Sequence, residues 1–145
     1  MAQSIDKELC RGILENAPDA ILFADREGVI RYWNAGAEAV FGFSEGEALG
    51  QSLDLIIPER LRVRHWSGYH KVMATGETHY GRELLSVPAL HKTGGQISSE
   101  FSIILLKDKV GQILGIGAIM RDVSKRRQEE KALRDRLAAL EGTRH

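Results

Sequence analysis

A single cysteine, Cys10, is all the thiol chemistry that this chain of 145 residues carries. An internal disulfide is therefore excluded, as is any metal site built from several thiolates. Cys10 falls in an N-terminal amphipathic stretch and reads as a small apolar residue rather than a reactive one. Net charge is missing too. Twenty basic and twenty acidic residues cancel, which leaves no electrostatic footprint for nucleic acid or for an anionic membrane surface. No stretch approaches about eighteen uninterrupted apolar residues. The start Met1-Ala-Gln-Ser-Ile-Asp-Lys-Glu has neither a basic region leading into an apolar run nor a small-residue cleavage site, so the expectation is a soluble, cytoplasmic protein. There is no Gly-rich phosphate loop, no His-Glu-x-x-His helix and no nucleophile elbow, and catalysis by this chain is not expected.

What is present is a composition with 43% hydrophobic residues, enough for one single-core domain with appendages. Ile5, Leu9, Ile13 and Leu14 keep helical spacing up to Asn16, and Pro18 follows as a stop. Ala20–Asp25 and Val29–Trp33 are short branched and aromatic runs around Arg26-Glu-Gly28, which predicts a hairpin. Asn34 is placed to cap a helix from Ala35 to Phe41 that Gly42 ends, and Ser44 with Glu47 forms a capping box for the next turn. After a connector from Gly50 to Ile57, the stretch from Pro58 to Gly76 opens and closes as a helix should. Beyond it, His79 to His91, Gln96 to Lys107 and Ile113 to Val123 read as three antiparallel strands. The middle one alternates, with Ile97, Ser99, Phe101, Ile103 and Leu105 on a core face.

This order predicts an α+β fold: a five-stranded antiparallel sheet with its helices on one face, and a cavity between the two layers. Three segments follow from it. Residues 1–17 are an N-terminal amphipathic helix and 18–123 the core. Residues 124–145 are a helical extension in which Leu133, Leu137 and Leu140 form a short apolar seam.

In the Pro58 to Gly76 helix, Leu61, His65, Tyr69 and Val72 share one face, so the imidazole of His65 is aimed where a core should be. It is either a ligand for something bound inside or a hydrogen-bonded core histidine. His70 falls off that face, and His91 lies beside a turn. Arg60, Arg62 and Arg64 form a basic flank suited to steering an anion or simply to solvent.

Asn16-Ala-Pro-Asp-Ala-Ile, Asp25-Arg-Glu-Gly-Val-Ile-Arg-Tyr-Trp-Asn, Phe41-Gly-Phe-Ser-Glu-Gly-Glu-Ala-Leu-Gly and Arg121-Asp-Val-Ser together resemble a PAS domain, over about residues 8 to 125. The resemblance implies a sensory and dimerising module. Asp122, Val123 and Ser124 stand at the junction that relays signals into a C-terminal helix. Arg64-His65, Ala74-Thr-Gly-Glu77, His79 and Lys92-Thr-Gly94 are similar in spacing to the haem-binding PAS domains of the FixL type of oxygen sensor.

That narrower resemblance implies haem b, with His65 as the iron ligand in a pocket that Tyr69 shares. Lys71 and His79 would meet the propionates. Leu85 stands where the subgroup has an oxygen-stabilising arginine, beside apolar distal positions at Phe101 and Ile103, so dioxygen would be poorly stabilised even with haem bound. Cys10 is far from any flavin-linking motif. The implied partners are a second copy, met through the N-terminal or C-terminal helix, and a downstream output domain. Two alternatives stay open: a cofactor-free dimerisation module whose cavity is filled by its own side chains, and a sensor of a small organic metabolite.

Overall fold

The computed structural model describes residues 2–78 and 84–142. The chain runs as α1 (Ala2–Asn16), β1 (Ala20–Asp25), β2 (Ile30–Trp33), α2 (Ala35–Phe41), α3 (Glu45–Ala48), two 3-10 turns (Leu53–Ile56 and Glu59–Leu61) and α4 (Arg62–Thr75). It then continues through β3 (Leu85–Leu90), β4 (Gln96–Lys107), β5 (Ile113–Asp122) and α5 (Ser124–Gly142). The five strands form one antiparallel sheet in the order β2-β1-β5-β4-β3. The expected α+β architecture is the observed one. The first and last strands of the core meet in the middle, with Leu22 opposite Ala118 and Ala20 opposite Met120.

Local chemistry fixes the hairpin. Asp25 Oδ1 accepts the backbone N–H groups of Glu27 and Val29, each at 3.0 Å, and Oδ2 meets Arg31 Nε at 2.8 Å. Burial by itself would raise the Asp25 pKa. The Arg31 hydrogen bond and the two backbone donors outweigh it and hold the carboxyl below its ordinary value. Gly28 turns the chain at φ 78°, directly beneath the ring of Trp66.

Asn34 then joins three elements. Its Oδ1 accepts from Ala37 N as the α2 cap and from Ile21 N at the start of β1, both at 2.8 Å. Its Nδ2 donates to Leu14 O at 2.8 Å and to Asp19 O at 3.1 Å. The end of α1, the start of β1 and the start of α2 are thereby held by one buried side chain. Gly36 lets α2 approach this corner: a Cβ there would stand 2.0 Å from Asp19 O. The core continues through Leu22, Ile30, Phe41 and Trp33, whose indole N–H donates to Phe43 O at 3.0 Å.

Where the chain departs from expectation, the causes are local. The helix after Pro58 begins as a 3-10 turn and becomes α-helical only at Arg62; Gly76 closes it in the left-handed region. The last strand ends at Asp122 rather than Val123, because α5 starts at Ser124, whose N–H donates to Asp122 Oδ1; Val123 between them is buried and its N–H still donates to Ser98 O at 2.8 Å. The third strand spans Leu85–Leu90; of the expected run from His79 to His91, residues 79–83 lie outside the described residues, and Leu84 is exposed and not in a strand. Cys10 is exposed on α1. No helix among the described residues is long and apolar enough to cross a membrane.

Candidate functional site

A cavity of about 530 Å³ lies between α4 and the sheet. Leu61, at the end of the 3-10 turn, and His65, Tyr69 and Val72 of α4 form its helical wall, which is the face that their spacing marks out. Leu22, Ala118, Met120, Phe101 and Ile103 supply the sheet wall, and Leu53 and Ile56 close one side. Leu85 enters from β3, where it pairs with Phe101 across the strands. The volume and the mostly apolar lining are those of a small-molecule site.

The outer flank of α4 is locked in place, and this aims its inner face. Trp66 Nε1 donates to Asp54 Oδ1 at 2.7 Å, and Arg62 Nε donates to Ile57 O at 3.1 Å. Tyr69 donates its hydroxyl to the Asp25 carbonyl, with Ala24 O at 3.3 Å. Burial, followed by the Asp25 and Glu27 charges, drives its pKa upward. Tyr69 therefore offers the cavity a ring, its hydroxyl being already engaged.

His65 is different. It is half-buried, edge-on to Trp66 with ring centroids 4.7 Å apart and 5.7 Å from Tyr69. Its Nδ1 is buried and has no hydrogen-bond partner among the described residues. Burial lowers its pKa, with the Asp54 charge opposing and His70 adding to the shift. A neutral imidazole with an unused nitrogen on an apolar wall is a donor set suited to a metal centre or to a polar ligand atom.

The remaining sequence candidates fall in different places. Lys71 is exposed and lies outside the cavity lining; only its carbonyl is engaged, by Thr75 Oγ1 at 2.8 Å. His79 lies outside the described residues. His70 is exposed, its ring centroid 6.0 Å from that of Trp66. His91 belongs to the β3–β4 turn, with Nδ1 3.0 Å from Thr93 Oγ1. Arg60 contacts Gln96 and Arg62 the Asp54 region. Arg64 lines the cavity. Sequence reasoning grouped it with the flank, although its place one turn from Leu61 and one from Gly68, both cavity residues, carried the signal.

At the other end of the sheet, Asp122, Val123 and Ser124 form a compact junction. Asp122 Oδ1 accepts from Ser124 N at 2.9 Å, and Ser124 Oγ accepts from Ser98 N at 2.9 Å. Arg126 pairs with Glu100, and Arg127 donates to Ser86 Oγ. These partners sit on β4 and β3, two of the strands that line the cavity. Past this turn α5 is exposed, Leu133, Leu137 and Leu140 included, and Leu9 and Ile13 of α1 are exposed as well.

Comparison with known proteins places this geometry. Residues 14–128 match the family described as PAS fold. The chain is 34% identical over 129 residues to an uncharacterized protein of Azorhizobium caulinodans, covering 88% of this chain and 17% of that protein. It is 39% identical over 69 residues to the sensor protein FixL of Bradyrhizobium diazoefficiens, covering 48% of this chain and 14% of that one. The chain thus spans less than a fifth of the length of these relatives. Among solved structures, the PAS domain of a protein from Colwellia psychrerythraea superposes with a TM-score of 0.72 at 25% identity, over 83% of this chain and 98% of that one.

Proposed function

The chain belongs to the PAS family, and from that premise we propose that its cavity takes up haem b, so that it works as a gas or redox sensor passing its state into α5. That it is a sensory, signal-transducing PAS domain is supported by the family match and by its likeness to the sensor protein FixL. The haem reading rests on one observation: a neutral, half-buried His65 whose Nδ1 lacks a partner among the described residues, on the wall of an apolar cavity. Among the described residues no three His, Cys, Asp or Glu side chains converge. One imidazole is nevertheless the protein donor that a haem iron asks for.

On this reading His65 holds the iron, and Tyr69 orders the helical wall beside it. Leu85, Phe101 and Ile103 keep the opposite side dry. Bound haem would supply an iron whose ligation or oxidation state changes. Leu85 offers no hydrogen-bond donor to a diatomic ligand, so binding haem and retaining dioxygen are separate properties. The roles given to Lys71 and His79 at the propionates are weaker, since Lys71 stands outside the cavity lining.

The relay would run through Asp122, Val123 and Ser124 into α5. The exposed seams of α1 and α5 would meet a second copy, and an output domain would stand among the parts of longer relatives that this chain does not span. A cavity already filled by its own side chains is disfavoured: Tyr69, Phe101 and Ile103 line the space and leave about 530 Å³ between them. The test is the absorption spectrum of the purified chain, as isolated and after adding hemin. A Soret band that His65→Ala weakens or shifts is expected; an identical spectrum in the variant overturns the assignment.

A further inference from the structure

Among the described residues that line the cavity, Arg64 alone carries a formal charge. The rest of the lining is aliphatic, aromatic or neutral, and burial disfavours the charged form of the neighbouring His65. Arg64 is exposed, and it makes no hydrogen bond or ion pair among the described residues. The adjacent basic residues of the same flank are engaged, Arg62 with Ile57 O and the Asp54 carboxylate and Arg60 with Gln96. An unengaged guanidinium on the rim of an apolar cavity therefore sets the polarity of whatever enters.

We propose that the cavity is built for a ligand with an apolar body and a carboxylate, the body held between α4 and the sheet and the carboxylate received by Arg64. This rests on the reading of the cavity as a ligand site and names the chemistry it selects. Arginine presents its donors as a planar fork that matches both oxygens of a carboxylate, a stronger pairing than neutral hydrogen bonds give. A ligand with the same body and no acid would lose that pairing while keeping the apolar contacts. Two kinds of molecule share the required chemistry: a porphyrin with propionate arms, and an aliphatic monocarboxylate. Arg64, rather than Lys71, then becomes the residue that distinguishes an acid from its ester.

The test titrates the purified chain with hemin, hemin dimethyl ester, dodecanoate and methyl dodecanoate, following heat by calorimetry and the quenching of tryptophan emission. Wild type, Arg64→Met and Lys71→Met are compared, methionine keeping the apolar stem of each side chain. The expected result is that at least one acid binds wild type about tenfold or more tightly than its ester. Arg64→Met should reduce that acid to the affinity of the ester, and Lys71→Met should leave the difference intact. Which acid shows the preference identifies the source. Acid and ester binding equally well to wild type would overturn the role of Arg64 while leaving the cavity a ligand site. A preference abolished by Lys71→Met instead would transfer the role to Lys71 and overturn the proposal. Absence of binding by all four compounds would overturn both the proposal and the reading of the cavity beneath it.

Discussion

Replacing Asn34 with alanine should cost far more than the loss of a helix cap. The side chain is 3% exposed and serves four backbone groups at short distance: Ile21 N, Ala37 N, Leu14 O and Asp19 O. Losing the cap at Ala37 N alone costs about 1 kcal/mol. Each further buried group left without a partner adds on the order of 1 kcal/mol or more, reduced where water can enter the space left by the amide. The sum is about 3 kcal/mol, or roughly 10 °C in Tm for a domain of this size. Urea denaturation followed through Trp33, the strand residue next to the hub, would measure it.

Asn34→Asp sharpens the experiment. It keeps the oxygen that accepts from Ile21 and Ala37, but turns acceptor against acceptor at Leu14 O and Asp19 O. Both variants should be destabilised. A loss below about 1 kcal/mol in the alanine variant, or an aspartate variant as stable as wild type, would refute the view that this side chain ties α1 to the sheet.

Acid should weaken the fold through His65. Because its folded pKa lies below the ordinary 6.5, the unfolded chain takes up the proton first, so stability falls as pH drops through about 6.5 and levels off below the folded pKa. Denaturation midpoints at pH 8 and pH 5 should differ more in wild type than in His65→Leu, and equal differences would count against a buried neutral ring. Gly28→Ala forces a side chain into φ 78° and sets its Cβ 2.1 Å from the Trp66 ring. A loss of about 2 kcal/mol or more with a changed near-ultraviolet Trp signal is expected, and an unchanged Tm would contradict the contact. Arg126→Ala leaves the Glu100 carboxylate, only 12% exposed, without its cation. The Arg126 side chain is 53% exposed, so the expected cost is a moderate one, roughly 1–2 kcal/mol. Hydrogen exchange at the start of α5 should rise, and adding Glu100→Gln should restore part of the stability. No faster exchange in Arg126→Ala would argue that the pair holds nothing.

Much of this fold was legible because its signals are short-range. The Asn34 cap, the Ser44–Glu47 box, the bounds of β1 and β4 and the shared face of Leu61, His65, Tyr69 and Val72 each depend on residues a few positions apart. What depends on axial position was not legible. Arg64 and Lys71 leave α4 within about 20° of each other, seven residues or roughly 10 Å apart along its axis. Helical angle puts both on one flank, yet only the placement of the sheet opposite decides that Arg64 borders the cavity and Lys71 does not. The 3-10 turn after Pro58 escaped for a related reason: proline announces a helix start, but the tightness of the first turn answers to the chain packed against it. The apolar seams on α1 and α5 were also readable as periodicity, which reveals that a face exists and not what covers it.

Strand β4 is where the cavity and α5 come closest to being a single object. Successive residues of a strand point to opposite faces, so Phe101 and Ile103 border the cavity while Glu100, next in line to Phe101, faces α5 and holds Arg126. Ser98, two residues earlier, gives its carbonyl to Val123 and its N–H to Ser124. Ser99 between them is buried and bonds Val87 O at 2.7 Å, which locks β4 to β3 at that level. A ligand that pushed Phe101 outward could not leave Glu100 where it was, because the two share a peptide unit. The helix would feel the change through the Arg126–Glu100 pair, the two hydrogen bonds to the Ser98 backbone and the Arg127 contact with Ser86, since past that turn α5 stands in solvent. A few attachments on the far side of the strand that borders the cavity would let a modest free-energy difference at the cavity shift the helix between two placements. On that reading the effect of Arg64 on ligand choice and the effect of Arg126 on α5 are separable, the first setting which molecule moves β4 and the second how far the movement travels.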